Sequence, residues 1–208
     1  MNQRTEKEKQ DSWQLLFDGA TPSKHWRGFQ SEEFPGGWVV DKGALHRADH
    51  AGDIITKEQF QDFELSLEWR VEGPGNSGIM FRVSEDEDRT FKTGPEYQIL
   101  NNQVHPDGRN PLTCAGANYA LHAPTKDVCK PVGEWNHTRI VVDGNHVEHW
   151  LNGEKVVEYD LFSEDWEKRV AGAKFADWPR YGREPKGHIA LQDHQDPVWY
   201  RNIKLQRL

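Results

Sequence analysis

Cysteine is scarce in this chain, with only Cys114 and Cys129 among 208 residues. That excludes a disulfide-stapled scaffold, and two thiols alone are too few for a structural zinc site. The pair lies in one loop-rich stretch, where spacing does not decide between a disulfide and free thiols. Apolar residues are also few, at 35%, and no apolar run is long enough to span a bilayer. Positive charge is outweighed: 26 Lys and Arg stand against 34 Asp and Glu, for a formal charge of −8, with the signs interspersed. Nucleic acid and anionic membrane surfaces both need a basic face, so neither is an expected partner. The opening MNQRTEKEKQ has no apolar core and does not read as a signal peptide. A leader removed upstream would place the protein in the periplasm or outside the cell, and otherwise it is cytoplasmic, so localisation stays open. No phosphate-binding glycine motif or nucleotide fingerprint occurs, and no cofactor is expected.

What is present is aromatic. Nine Trp, nine Phe and five Tyr compensate for the low apolar fraction, because one ring buries far more area than one aliphatic side chain. The expected core is therefore aromatic, with some Trp left over for a ligand. Residues 1–11 read as a charged, disordered tail, and residues 12–208 as one domain. Phe63, Leu65, Leu67, Trp69 and Val71 alternate with Glu64, Ser66, Glu68 and Arg70, which is the period of a strand with one buried face. After GPGNSG the run SGIMFRVSE predicts a second strand, antiparallel to the first as a hairpin. Ile79, Phe81 and Val83 would face the core, and Met80 and Arg82 would face out. PEYQIL is another strand, with Tyr97 and Ile99 opposite Glu96 and Gln98. TRIVVDGNHVEHWLNGEKVVEYD predicts three strands joined at Asp143-Gly144-Asn145 and Asn152-Gly153. The last strand, VWYRNIKLQRL, should put Trp199, Arg201, Ile203 and Leu205 on one face. One short helix is expected, after Ser163 as N-cap. Residues 101–133 form a loop of a length that is usually functional. Many short strands with Gly-rich turns predict an all-β, two-sheet antiparallel jelly-roll sandwich.

The segments LLFDG, GNSGIMFR, GPEYQIL, EWNHTRIVVDGNHVEHWLNGEKV and GHIALQDHQDPVWYRNIKL together resemble the 3-keto-disaccharide hydrolase domain family, a concanavalin A-like jelly roll. The resemblance runs from about Trp13 to the C-terminus. It implies a carbohydrate ligand, a glycoside whose ring carries a ketone at C3, and cleavage of its glycosidic bond. A separate sugar 3-oxidoreductase would have to make that ketone.

The ketone changes the chemistry. The C2 hydrogen becomes acidic, so a modest base removes it, the enolate expels the C1 oxygen, and water adds back. The route needs a base near C2, an acid near the leaving oxygen, and a donor or cation at the C3 oxygen. Glu96, outward on its strand beside Gln98, and His194, in the Gln192-Asp193-His194 run, are the expected proton-transfer residues. Lys174, in AKFADWP, is the expected cation. Asn76, Arg82, Gln98 and Gln192 are candidates for holding sugar oxygens, and Trp178 and Tyr181, both in a loop, for stacking on a ring. His146 and His149 fall on opposite strand faces, which argues against shared metal ligation, and no metal site is expected. The acid run Glu85-Asp86-Glu87-Asp88 lacks an EF-hand pattern and reads as a solvated turn, with structural calcium the one metal it could hold. Two other readings share the fold: a non-catalytic carbohydrate-binding domain, and an ordinary glycosidase with two close carboxylates.

Overall fold

A computed structural model describes all residues, 1–208. Thirteen strands make two antiparallel sheets packed face to face as a jelly-roll sandwich. They are β1 (Gln14–Leu15), β2 (Trp26–Gly28), β3 (Trp38–Asp41), β4 (Ala44–Arg47), β5 (Ile54–Thr56), β6 (Phe63–Val71), β7 (Asn76–Val83), β8 (Glu96–Leu100), β9 (Asn136–Asp143), β10 (His146–Leu151), β11 (Glu154–Asp160), β12 (His188–Leu191) and β13 (Val198–Arg207). The large sheet has the order β11-β10-β9-β6-β13-β4-β3, with β1 also on β13, and the small sheet the order β2-β5-β12-β7-β8.

The alternation in β6 is realised: its five apolar side chains are buried and the intervening ones half-exposed. The core between the sheets is aromatic, with Trp26, Trp69, Trp166, Tyr97 and Phe81 fully buried. Tight hairpin turns fall at Lys42-Gly43 and Asn152-Gly153, where both residues of each pair take positive φ, the geometry that matches strand twist. β6 and β7 are not the hairpin that their adjacency suggests. β6 pairs with β9 and β13, and β7 with β8 and β12, so GPGN carries the chain from one sheet to the other.

Two bulges overturn strand parity. Arg82 has a φ of +52° at a register shift between β7 and β12. Past it the faces exchange. Val83 leaves the main core for a small apolar cluster with Ile55, Met80 and Ala190 on the opposite face of the small sheet. Arg82 turns inward instead of out, and its Nη2 donates to the Gly144 carbonyl of the large sheet at 2.6 Å. In β13, Asn202 has a φ of +53° at another shift. Val198 and Tyr200 face the core before it, and Ile203 and Leu205 after it, while Trp199 lies on the outer face against His46.

The N-terminal segment is docked rather than disordered. Asn2 exchanges backbone-to-side-chain hydrogen bonds with Asn202 at the β13 bulge. A five-residue helix, α1 (Glu6–Gln10), carries a Thr5/Glu8 capping box, and Lys204 Nζ lies 2.8 Å from both Glu8 oxygens. This helix is additional to the one expected from sequence. The expected one, α2 (Glu164–Ala171), is capped by Ser163. A stack of near-parallel rings ties α2 to the sandwich: His122 on Tyr159 at 4.7 Å, Tyr159 on Trp166 at 5.5 Å, Trp166 on Tyr181 at 5.9 Å, and Tyr181 on Phe175 at 3.9 Å.

Candidate active site

The small sheet presents its outer face as a floor. On β7 the floor row is Asn76, Gly78 and Met80. Pairing places Gly78 opposite Gln98 and Met80 opposite Glu96 on β8. β12 runs along the other side, and the Gln192 N–H donates to the Gly78 carbonyl at 3.0 Å. Over this floor the loops close a cavity of about 160 Å³ lined by Asn76, Phe91, Glu96, Gln98, Asp107, Tyr119, Lys174, Gln192 and His194. Six of the residues singled out in the sequence thus meet in one place: Glu96, Lys174, His194, Asn76, Gln98 and Gln192.

Glu96 is buried and no salt bridge or side-chain hydrogen bond holds its carboxyl. Burial raises its pKa to about 8, the Lys174 ammonium opposes this, and the Asp53 carboxyl adds to it. A carboxyl removed from water keeps its proton longer because the charged form loses solvation. Three amide oxygens around it, on Asn76, Gln98 and Gln192, are buried without a hydrogen-bond partner in the protein. Buried polar atoms are normally paired, so three unpaired acceptors on one floor are a surface prepared for donors such as sugar hydroxyls.

Lys174 opens a short 3₁₀ turn, Lys174–Asp177. Its Nζ stands 4.4 Å from the centre of the Tyr119 ring, and its neighbour Phe175 belongs to the ring stack. Tyr119 has its phenol pKa raised by burial, then by the Glu96 and Asp107 carboxyls. His194 is at the rim, with Nδ1 3.8 Å from Asp196. It forms no dyad with Asp193, which is engaged elsewhere. The Asp193 carboxylate accepts from Arg47 Nε at 2.6 Å and from the amides of Ala51, Gly52 and Gln195 at 2.8 to 2.9 Å. It shapes the loops and does no site chemistry.

Phe91, Gln192 and His194 also line a second, larger groove of about 750 Å³. Its walls come from residues 28–36, 50–53, 88–91 and 192–195, and most of the side chains are polar, among them Gln30, Glu33, Asp53 and Arg89. The small cavity therefore opens onto a longer polar trough, with His194 at the junction.

Three expected ligand contacts are elsewhere. Arg82 is inverted by its bulge and straps the two sheets together, so it cannot reach a sugar. Tyr181 is buried in the ring stack between Trp166 and Phe175 and offers no open face. Trp178 packs behind the cavity on Phe91 at 5.4 Å. None of the nine Trp lines the cavity or the groove; the aromatic surface of the cavity is Phe91 and Tyr119, and the groove adds Phe29 and Phe34. Phe91, Tyr119 and Asp107 escaped residue-level reading. The long loop 101–133, flagged for its length, supplies Asp107 and Tyr119.

Other clusters are self-satisfied. In the 85–88 acid run, Glu85 pairs with Arg27, Asp86 with Arg180 and Asp88 with Lys92. His146, Glu148 and Glu158 converge on the outer face of the large sheet, but Lys155 Nζ already lies 3.0 Å from Glu148 and 2.6 Å from Glu158. His149, on the buried side, has its pKa lowered to about 4 by burial. Cys114 and Cys129 are free thiols, with burial raising Cys129 to about 12.

A family model for a 3-keto-alpha-glucoside-1,2-lyase-like domain matches residues 12–206. A Bacteroides thetaiotaomicron protein named 3-keto-disaccharide hydrolase is 32% identical, over 95% of this chain and 79% of its own length. A crystal structure from Parabacteroides distasonis, solved as a candidate glycosyl hydrolase, superposes with a TM-score of 0.93 at 33% identity, covering 100% of this chain and 99% of the other. The carbohydrate-binding module CBM66 of Bacillus subtilis has a TM-score of 0.55 at 14% identity, over 88% of this chain and 95% of its own, a likeness of fold alone.

Proposed function

Given that the chain belongs to the 3-keto-alpha-glucoside-1,2-lyase-like family, we propose that it is a carbohydrate-cleaving enzyme acting on glycosides with a ketone at C3. The observation that carries this reading is the buried Glu96 carboxyl, with its raised proton affinity, set among three unpaired amide oxygens. A neutral sugar can be held by amides and rings alone, so a pure binding module has no use for a carboxyl kept out of water at this cost.

The roles divide by position. Glu96, on the floor, takes the C2 proton. A carboxylate whose pKa is near 8 is a stronger base than an ordinary one and still titrates near working pH. The electron pair moves into the C2–C3 bond and onto the ketone oxygen, and the Lys174 ammonium stabilises the enolate that forms. The enolate then expels the C1 oxygen. His194, at the junction of cavity and trough, gives that oxygen a proton as the leaving sugar departs into the trough. Water adds at C1, and the proton returns to C2, completing net hydrolysis. The trough has room for a second ring, which fits a disaccharide.

One observation favours a second reading. Asp107 shares the cavity with Glu96, so a protonated Glu96 as acid and an ionised Asp107 as its partner would suit an ordinary glycosidase. Incubation in D₂O with a 3-keto-glucoside, and separately with the unoxidised glucoside, followed by NMR, tests both. Cleavage of the keto form alone, with deuterium at C2, is expected. Cleavage of the unoxidised glucoside would select the two-carboxylate reading, and saturable binding without cleavage would select a binding module.

A further inference from the structure

The depth of the floor depends on a residue with no side chain. Gly78 is central in the β7 row, and Glu96 enters one pair along, opposite Met80. From there a long side chain reaches its diagonal cross-strand neighbour. A Cβ built on Gly78 would stand 2.8 Å from Cδ and 2.9 Å from Cγ of Glu96, with Oε1 nearer still. These atoms are the three nearest to that Cβ, and all belong to the Glu96 side chain. Gly78 is not among the residues with positive φ, so backbone conformation does not require glycine. What excludes a larger residue is the carboxyl lying across it.

We infer that Gly78 is a positioning residue: its bare Cα is the bed on which the Glu96 carboxyl rests, and any side chain there lifts that carboxyl off the floor. The inference rests on the role proposed for Glu96. The displaced group is the far end of a flexible side chain, so the fold can accept a methyl by letting the carboxyl move toward the cavity mouth. There it regains water and loses the burial that sets its proton affinity. Misplacement of a reacting group by about 1 Å can cost roughly 100-fold in rate, so the loss should fall on kcat more than on KM.

The test is Gly78→Ala with carboxyl-¹³C-labelled glutamate. The Glu96 resonance is assigned by its disappearance in Glu96→Gln and followed against pH. Gly78→Ala should keep the wild-type thermal unfolding midpoint and titrate at least one pH unit lower than wild type, with kcat on a 3-keto-glucoside down about 10- to 100-fold. A folded Gly78→Ala whose Glu96 titrates as in wild type overturns the inference. If Gly78→Ala is instead poorly folded, the same substitution is made in Glu96→Ala. Recovery of the unfolding midpoint identifies the carboxyl as the clashing group and supports the inference, whereas persistent loss overturns it. The titration uses no substrate, so a protein that leaves 3-keto sugars intact refutes the proposed reaction while the Gly78 result stands or falls separately.

Discussion

The outer faces of the two sheets handle polar groups in opposite ways. On the large sheet, charge and aromatic rings satisfy one another. Arg201 stacks over Trp135 at 3.9 Å and bonds Glu68 at 2.5 Å, Arg139 covers Trp150 at 4.0 Å, and Arg70 lies 4.3 Å from Trp199, whose ring also stacks on His46 at 4.1 Å. On the small sheet, Glu96 and three amide oxygens are buried without protein partners. The first face is covered mainly by its own side chains, with His46 Nε2 and Arg70 Nε left unpaired around the Trp199 ring. The second presents acceptors that a ligand rich in hydroxyls would pair. Charge and aromatic content do not separate the two faces, but a cluster of unpaired amide oxygens around one carboxyl does.

Substitutions can break this contrast, and the largest effect should come from the floor. Glu96→Gln keeps the shape and removes the proton acceptor, so turnover of a 3-keto-glucoside should fall about 100- to 10,000-fold while sugar binding by calorimetry persists. Gln98→Met or Gln192→Met should weaken binding about 10-fold each, from one lost hydrogen bond of roughly 1.4 kcal/mol, yet leave the ligand-free protein as stable or more so in thermal unfolding. A loss of stability there would mean that these amides serve the fold rather than a ligand. On the large sheet's outer face the signs reverse: Arg201→Ala should cost about 1 kcal/mol of stability in urea unfolding with unchanged turnover.

The pH dependence follows from Glu96. Its pKa is raised on folding, so the native state holds a proton that the unfolded chain has already released. The stability lost is nil below the ordinary carboxylate range and grows as pH rises toward about 8, by at most ~1.4 kcal/mol per pH unit. Glu96→Gln should flatten that slope, read as unfolding midpoints across pH. As the base, Glu96 must be ionised, and as the acid, His194 must carry its proton, so wild-type kcat/KM should be bell-shaped in pH. In His194→Gln, at a lower rate, the falling limb should be lost and kcat/KM should be half-maximal near pH 8 and level off above it; a His194→Gln profile that falls through pH 8 would reassign Glu96 as the acid.

Much of this was legible in sequence, and the failures have local causes. The alternation in Phe63–Val71, the glycine turns and the outward placement of Glu96 and Gln98 on PEYQIL follow from period and turn chemistry, and the structure repeats them. Arg82 and Asn202 defeat parity because non-glycine residues with positive φ leave no mark in composition, and each inverts every position after it. Tyr181 read as an exposed loop aromatic because periodicity says nothing about what a loop packs against. Phe91, Asp107 and Tyr119 reach the site from segments whose path is set by tertiary packing. The expectation of a spare Trp at the sugar failed because the sandwich and its outer face use Trp for packing and for cation–π cover.

The stacked rings have an optical consequence. Trp166 lies nearly parallel to Tyr159 on one side and Tyr181 on the other, and that column holds the segment carrying Lys174. Such a fixed array of coupled transition dipoles should give the folded protein a strong near-ultraviolet circular dichroism band that Trp166→Phe removes. Loss of that band on heating, before the far-ultraviolet sheet signal fades, would report the site loosening while the sandwich still stands.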